Sequence, residues 1–216
     1  MSIRRITVVQ EPAHPARALD AVAEAAAALE ADLLGLFLED VELLHFAGLP
    51  FACEIGVSAR PRGLDVQTME RRFRVQADAA RRALAAAAEG KALRWSFRVE
   101  RGSVPAQLRK ALADADLVIL LGDHGEGTQR RSAALLSAVE SPSAVVQALE
   151  RLARALAGNV YLLQPGAERD AARGREGERR RSPEESACIR LAVGEDELAR
   201  LLLQLWRGAT GREPSA

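Results

Sequence analysis

The sequence predicts an α/β protein with a doubly wound parallel sheet and helices on both faces. Short apolar runs rich in β-branched residues alternate with longer Ala- and Leu-rich stretches of helical periodicity. The run at 117–121 has almost no polar residue, which is typical of a central parallel strand covered on both faces. Successive strand runs are separated by helix-length segments, and this spacing favours right-handed crossover connections between parallel strands.

Length and composition narrow the class of protein. The 216 residues suit one large domain or two small ones, and the 30 basic residues balance the 30 acidic ones. A net charge of zero predicts no affinity for nucleic acid. The two cysteines, Cys53 and Cys188, form no paired motif, which indicates a reducing compartment. The amino terminus lacks a signal-peptide core and no run could cross a bilayer, so we expect a cytoplasmic protein without a membrane segment.

The first half of the chain alternates strand and helix patterns. The predicted strands are residues 3–9, 33–38, 95–100 and 117–121. The predicted helices are residues 16–31, 41–47, 65–89 and 104–113. Gly90 is placed to end the third helix, and Ser103 is placed to cap the fourth. Residues 48–64 are predicted to be irregular because Pro and Gly interrupt them.

The second half repeats the strand–helix–strand order of the first half in a shorter form. It predicts a strand at 133–139, a helix at 142–157, a strand at 160–163, a strand at 188–193 and a helix at 195–206. We interpret this as an internal repeat, with an α/β domain at 1–131 and a shortened second βα repeat at 132–216. The alternative is that any two βαβ units look alike. The charged segment 165–186 predicts a flexible loop, and its three consecutive arginines, flanked by glutamates, favour a solvated loop over a nucleic-acid patch.

Three segments of the sequence together resemble the universal stress protein family. They are ITVV at 6–9, LLGLFLED at 33–40 and VERGSVPAQLRKALADADLVILLGDHG at 99–125. The resemblance covers about residues 3–127, and residues 132–207 look like a decayed second copy, as in tandem members. It implies a parallel doubly wound sheet, frequent dimerisation and, in some members, ATP bound at the carboxyl ends of the strands.

The resemblance also implies where a nucleotide would bind. ATP-binding members carry a loop of the form G-x-x-G, nine residues, then G-[ST], after the fourth strand. Here Gly122 and Gly125 match the first part, so Gly122, Gly125, Gly127 and Thr128 are the candidate phosphate-binding residues. Glycines let backbone N–H groups approach phosphates, and a following helix N-terminus would add partial positive charge. The alternative is that these glycines only turn the chain after a strand.

The chain departs from the family pattern at the rest of this site. Leu135 and Leu136 stand where the second glycine and the hydroxyl residue belong. Gln10, followed by Glu11, stands where the family has an aspartate after its first strand. These departures predict that ATP is not a resident cofactor, although ATP or another small ligand in the same crevice remains an alternative.

No other motif predicts catalysis. The three histidines show no metal-ligand spacing, and the chain has no nucleophile-elbow, P-loop or dinucleotide-binding motif. Asp123 and His124 are the only candidates for the base and metal ligand that a weak nucleotide hydrolase would need. We therefore expect no catalytic residues and no metal site.

The leading hypothesis is a non-catalytic universal-stress-type protein of the stress response that acts by binding a partner or a small ligand, as a homodimer or with another protein. The runner-up is an ATP-binding member that senses nucleotide, and a weak hydrolase comes third. Residues 41–55 are unusually apolar for a connection, and they form either a partner surface or a cover for the edge of the core. The residues in question are Leu43, Leu44, Phe46, Leu49, Pro50 and Phe51.

Overall fold

A seven-stranded sheet with helices on both faces forms the protein, and it confirms the predicted α/β class. A computed structural model describes residues 3–10, 16–55, 61–121, 130–136, 142–156, 158–165 and 188–193. The strands are β1 (Arg5–Gln10), β2 (Asp32–Asp40), β3 (Cys53–Ile55), β4 (Pro61–Gly63), β5 (Trp95–Gly102), β6 (Leu117–Leu120), β7 (Arg130–Leu136), β8 (Gly158–Pro165) and β9 (Cys188–Val193). The helices are α1 (Ala16–Ala28), α2 (Val41–Ala47), α3 (Val66–Ala88), α4 (Val104–Asp114) and α5 (Ser143–Leu156).

The strand order of the sheet is β5-β2-β1-β6-β7-β8-β9. Strands β5, β2, β1 and β6 are parallel, and Thr7 of β1 is paired with Leu34 on one side and Val118 on the other. The chain moves outward from β1 to β2 and β5, then returns to the other side of β1 with β6. This reversal creates a topological switch point between β1 and β6, as the predicted doubly wound order requires.

The prediction of a parallel sheet is wrong at one junction. Strand β7 runs antiparallel to β6, with Leu120 paired to Ala133 and Leu117 paired to Leu136. A parallel neighbour needs a crossover of about a dozen residues or more, which the connection at 121–129 is too short to supply. Beyond this junction β7, β8 and β9 are parallel to one another, so the sheet consists of two parallel groups that run in opposite directions.

The proposed division at residue 131 falls inside β7. The unit β7–α5–β8 has the same strand–helix–strand order as β1–α1–β2, but both units belong to a single sheet. The internal repeat and the two-domain division therefore stay predictions. The last predicted helix at 195–206 and most of the predicted loop at 165–186 lie outside the described residues, while Pro165 ends β8 instead of beginning a loop.

Helices α1, α3 and α5 cover one face of the sheet. The small side chains of α1 let it approach the sheet closely, and Ala23 and Ala26 are fully buried against it. Leu149, Leu152 and Leu156 recur at helical spacing along α5 and are buried in the same cluster. This cluster contains residues from both parallel groups, so one continuous core extends across the antiparallel junction.

The opposite face is covered by α4 over the first parallel group. Val104, Leu108 and Ala111 of α4 are buried against alternate residues of the strands below. The strand residues buried on this face are Val9, Leu36, Leu38, Val118, Leu120 and Leu163. Since the neighbouring strand residues point to the other face, the central strands are buried on both sides, as their near-continuous apolar sequence predicts.

The apolar stripe predicted for α3 is confirmed. Its residues Met69, Phe73, Ala77, Ala80 and Leu84 are all buried. Phe73 meets Phe37 of β2 edge to face, with ring centroids 6.4 Å apart. Helix α3 thus holds the carboxyl half of β2 and gives α2 a surface on which to pack.

Caps fix the ends of these helices. Asp65 caps α3 by accepting a hydrogen bond from the Thr68 backbone N–H at 2.8 Å, and the Thr68 hydroxyl holds the pKa of the Asp65 carboxyl below its ordinary value. Gly90 follows α3 with a φ of +78°, which confirms its predicted role. Ser103 occupies the N-cap position of α4, although its side chain makes no capping hydrogen bond. Helix α2 has the predicted bounds, whereas the hairpin of β3 and β4 was predicted as irregular chain.

Candidate functional site

The carboxyl edge of the first parallel group is where a ligand site is expected. Strand β1 ends at Gln10, β2 ends at Asp40 and β6 ends at Leu120. Because β1 lies between β2 and β6, Gln10 is the last residue of the strand that borders the switch point. In open α/β sheets, ligands bind in the crevice outside such strand ends.

The candidate phosphate loop follows β6 at this edge. Its residues Gly122, Gly125, Gly127 and Thr128, together with Asp123 and His124, lie outside the described residues. The described chain resumes at Arg130 with strand β7. A helix that began at Arg130 would present its N-terminus to a phosphate, whereas Arg130–Leu136 form a strand.

The two positions at which the resemblance implies the rest of the phosphate site lie within β7. Leu135 is paired with Val118, and Leu136 is paired with Leu117. These two leucines therefore belong to the antiparallel ladder near the amino end of β6, at the far end of that strand from the loop. The two positions at which the resemblance predicts a glycine and a hydroxyl residue therefore belong to a strand and not to a turn beside the candidate phosphate loop.

Gln10 is a buried polar residue with unusual surroundings. It is 1% exposed, and neither its carboxamide nitrogen nor its oxygen has a hydrogen-bond partner within the described chain. A Cβ atom on Gly35 of β2 would lie 3.2 Å from Gln10 Nε2, so the absent side chain of Gly35 makes room for the carboxamide. A buried polar group without a partner costs about 1–3 kcal/mol, and such groups in native proteins call for an explanation.

The two carboxylates at the end of β2 are already engaged. Glu39 is buried and accepts a hydrogen bond from Arg101 Nε at 2.8 Å, which raises the pKa of Arg101. Arg101 also contacts Glu70 of α3 at 3.3 Å. Asp40 accepts from the Glu42 backbone N–H at 2.9 Å and caps α2. These contacts assign structural roles to both acids and do not present a free general base.

A second ion pair fastens the β3–β4 hairpin to α3. Arg72 donates to both carboxylate oxygens of Glu54, and its Nη2 lies 2.6 Å from Glu54 Oε1. This hydrogen bond holds the pKa of the Glu54 carboxyl below its ordinary value. The two-point geometry fixes the orientation of the hairpin against the helix.

Four large apolar side chains at this end of the molecule are exposed. Phe51 is 74% exposed, and Phe46, Leu49 and Val66 are each about two-fifths exposed. Backbone turns at Phe46–Leu49 and Leu49–Ala52 follow one another along the chain, and a Cβ atom on Gly48 would lie 3.6 Å from Val66 Cγ2. We call these four residues the α2 patch.

The apolar segment 41–55 therefore has two roles. Leu44 and Ala47 are buried and cover the edge of the core above β2. The neighbouring side chains of the α2 patch remain outside. The interpretation as a core cover is confirmed for Leu44 and Ala47, whereas Phe46, Leu49 and Phe51 are exposed.

A cleft of about 540 Å³ lies at the opposite, amino edge of the first group. Charged side chains of both signs line it, and several are already paired. Asp116 Oδ2 accepts from the backbone N–H of Arg4 at 2.8 Å and of Arg5 at 3.1 Å. Arg94 Nε donates to Asp32 Oδ1 at 2.8 Å. The cleft therefore presents both signs of charge and not a cluster of one sign.

The potential metal ligands among the described residues are dispersed. Within the described ranges, no three His, Cys, Asp or Glu residues come together as metal ligands. His45 and Cys53 are exposed, whereas His14 lies outside the described residues. No helix in the described part of the chain is both long and apolar enough to cross a membrane.

No protein-family model matches this chain, and no curated protein is similar to it in sequence. The resemblance to universal stress proteins therefore depends on the segments 6–9, 33–40 and 99–125.

Proposed function

We propose that this chain is a non-catalytic universal-stress-type protein that acts in the cytoplasm, in the stress response, by binding a protein partner through the α2 patch. The observation that carries the proposal is the exposure of the four apolar side chains, with Phe51 at 74%. Grouped exposed apolar residues mark interaction sites more often than singly scattered ones do. The Glu54–Arg72 pair supports the role because it holds the adjoining hairpin rigid.

The rim of the α2 patch favours a protein over a lipid surface. Glu42 and Asp65 are exposed beside it and so is Arg62, which gives the rim both signs of charge. Anionic membranes attract clusters of Lys and Arg, whereas protein interfaces combine an apolar centre with a mixed polar rim. The partner would therefore present an apolar segment with polar flanks.

The exposed thiol of Cys53, two residues from Phe51, provides the test. A photo-crosslinker on this thiol, in a Cys188→Ser background, should form a covalent adduct with the partner in cells. Binding of the purified partner should then weaken about tenfold or more in Phe51→Ser, measured by fluorescence titration, because exposed aromatic anchors dominate such interfaces.

The matched control is Val75→Ser, which removes an apolar side chain of α3 that is 67% exposed and lies outside the patch. It should leave the affinity unchanged. Equal affinity for the wild type and Phe51→Ser, or an equal loss in both variants, would remove the support for the patch.

Small-ligand binding at the switch point is the second candidate, and the unpartnered carboxamide of Gln10 favours it. A ligand with a hydrogen-bond donor beside an acceptor would satisfy both atoms after the side chain turns toward the crevice. This role suits a sensor, since occupancy would change the packing at the end of β1.

Mg-ATP is the first ligand to measure. If the chain acts without nucleotide, thermal unfolding should be unchanged by excess Mg-ATP, and a denatured extract should contain no bound nucleotide. Under the ATP-sensing alternative, ligand at about 100 times its dissociation constant adds about 2.7 kcal/mol of stability. That gain should disappear in Gly125→Val. A nucleotide turnover that is lost in Asp123→Ala would be needed to support the hydrolase alternative.

A further inference from the structure

We propose that the chain forms a homodimer by antiparallel pairing of its β5 edge with β5 of a second copy. This surface is distinct from the α2 patch, so the inference goes beyond the proposed function and can fail independently. A two-fold axis through the β5 pair would join two seven-stranded sheets into one continuous sheet.

Strand β5 is an open edge. It is the first strand in the sheet order, and among the described strands it pairs only with β2. The strand is eight residues long, and two of its large apolar side chains, Trp95 and Val99, are 38% and 46% exposed. Long exposed edges template pairing with another chain, and proteins usually shorten, cover or break them. Here the edge is long and contains no proline.

The backbone of β5 shows which residues are available. The carbonyl of Arg94 accepts a hydrogen bond from the Leu33 N–H at 2.9 Å, so position 94 directs its backbone groups toward β2. Backbone direction alternates along a strand, and even-numbered positions therefore face β2. The odd-numbered residues present their N–H and C=O groups to the open side. They are Trp95, Phe97, Val99 and Arg101.

Charge favours one register over its two neighbours among those that this alternation permits. When Val99 lies opposite Val99 of the partner subunit, Arg98 lies opposite Glu100 of the partner subunit, and the symmetry repeats this contact. A shift to either adjacent allowed register places arginine 98 of both copies, or glutamate 100 of both copies, opposite one another. Unlike charges stabilise a cross-strand pair and like charges destabilise it. The charges on β5 thus disfavour the two neighbouring registers and favour the alignment centred on Val99.

One of the two charged side chains that would meet is held in position, and the other is free to pair. Arg98 and Glu100 share the face covered by α4, where Lys110 Nζ lies 3.1 Å from Glu100 Oε1 and orients this carboxylate. Arg98 is exposed and has no hydrogen bond or ion pair in the described part of the chain. Val99 points to the other face, on the side of α3, because it is paired with Phe37 of β2. Pairing would bury Val99 and give Arg98 a partner.

Sedimentation velocity of the full chain over a concentration series tests the inference. The wild type should sediment as a dimer. Arg98→Glu and Glu100→Arg should each raise the dimer dissociation constant about tenfold or more, because each creates two like-charge contacts. The double variant Arg98→Glu/Glu100→Arg restores opposite charges and should recover the dimer. Arg81→Glu, with the same charge change at an exposed position of α3, is the matched control and should not alter association.

Val99→Pro provides a second, independent readout. Proline removes the outward N–H of the central pair but leaves the β2 ladder intact, because position 99 donates nothing to β2. We expect a folded monomer, with folding checked by circular dichroism. A monomeric wild type, or a dimer that both single charge reversals and Val99→Pro leave intact, would overturn the inference. Phe51→Ser should still dimerise, so a failure of the α2 patch and a failure of the β5 edge give different results.

Discussion

Replacing Gly35 with valine is expected to destabilise the protein by about 3 kcal/mol, the upper part of the range for an overpacked core. A Cβ atom at this position would lie 2.5 Å from Leu84 Cδ2 and 2.9 Å from Phe97 Cδ2. Leu84 has no exposed surface, so it cannot move into solvent to make room. Urea unfolding of the purified variant, followed by circular dichroism, measures the loss.

Two companion variants show whether the clash is the cause. Gly63→Ala should be almost neutral, because no atom lies within 4 Å of the added Cβ. Leu84→Ala alone should cost about 2–5 kcal/mol, since it leaves a cavity. Combined with Gly35→Val, it should cost less than the sum of the two single changes, because the valine occupies part of the vacated space. Strict additivity would show that Gly35 and Leu84 do not compete for the same volume.

Gln10→Met is expected to stabilise the protein by about 1–3 kcal/mol, because it removes two buried polar atoms that lack partners within the described chain and keeps the side-chain volume. The same change should abolish any stabilisation that a small ligand produces at the switch point. A gain in stability with a loss of binding is the pattern expected where a protein retains an unfavourable group for function. Chemical unfolding with and without the ligand measures both effects.

Thr7→Val is the control for this prediction. The Thr7 hydroxyl is also buried without a partner in the described chain, but Thr7 lies on the other face of β1 and away from its carboxyl end. We expect Thr7→Val to stabilise the protein and to leave ligand binding intact. If Gln10→Met instead lowers the stability, the carboxamide has a structural partner and the ligand hypothesis loses its support.

Most of the elements could be predicted because their signals are local. The period of Met69, Phe73 and Ala77 identifies the buried face of α3 without knowledge of the sheet. The alternation of Trp95, Ser96 and Phe97 identifies β5 in the same way. These patterns depend only on neighbouring residues, and the structure places the corresponding elements within a few residues of the predicted bounds.

The direction of β7 could not be predicted, because it depends on pairing between residues far apart in the chain. An apolar run such as residues 133–136 fits a parallel or an antiparallel neighbour equally well, and only the length of the connection from β6 indicated the direction of the strand. For the same reason the sequence identified Gln10 only as a replaced family position. Its contact with Gly35 joins two strands and becomes visible once their register is known.

Because β7 runs antiparallel to β6, the carboxyl ends of the two parallel groups lie at opposite edges of the sheet. Strands β1, β2 and β6 end at one edge. Strand β7 ends at the other edge, where Leu136 lies beside the start of β6. Ligand sites of parallel sheets follow carboxyl ends, so any site built by β7, β8 and β9 would open on the opposite side of the molecule from Gln10. The two parallel groups therefore cannot enclose one ligand between facing crevices. A ligand of the first group would approach from the Gln10 edge, and a ligand of the second group from the opposite edge.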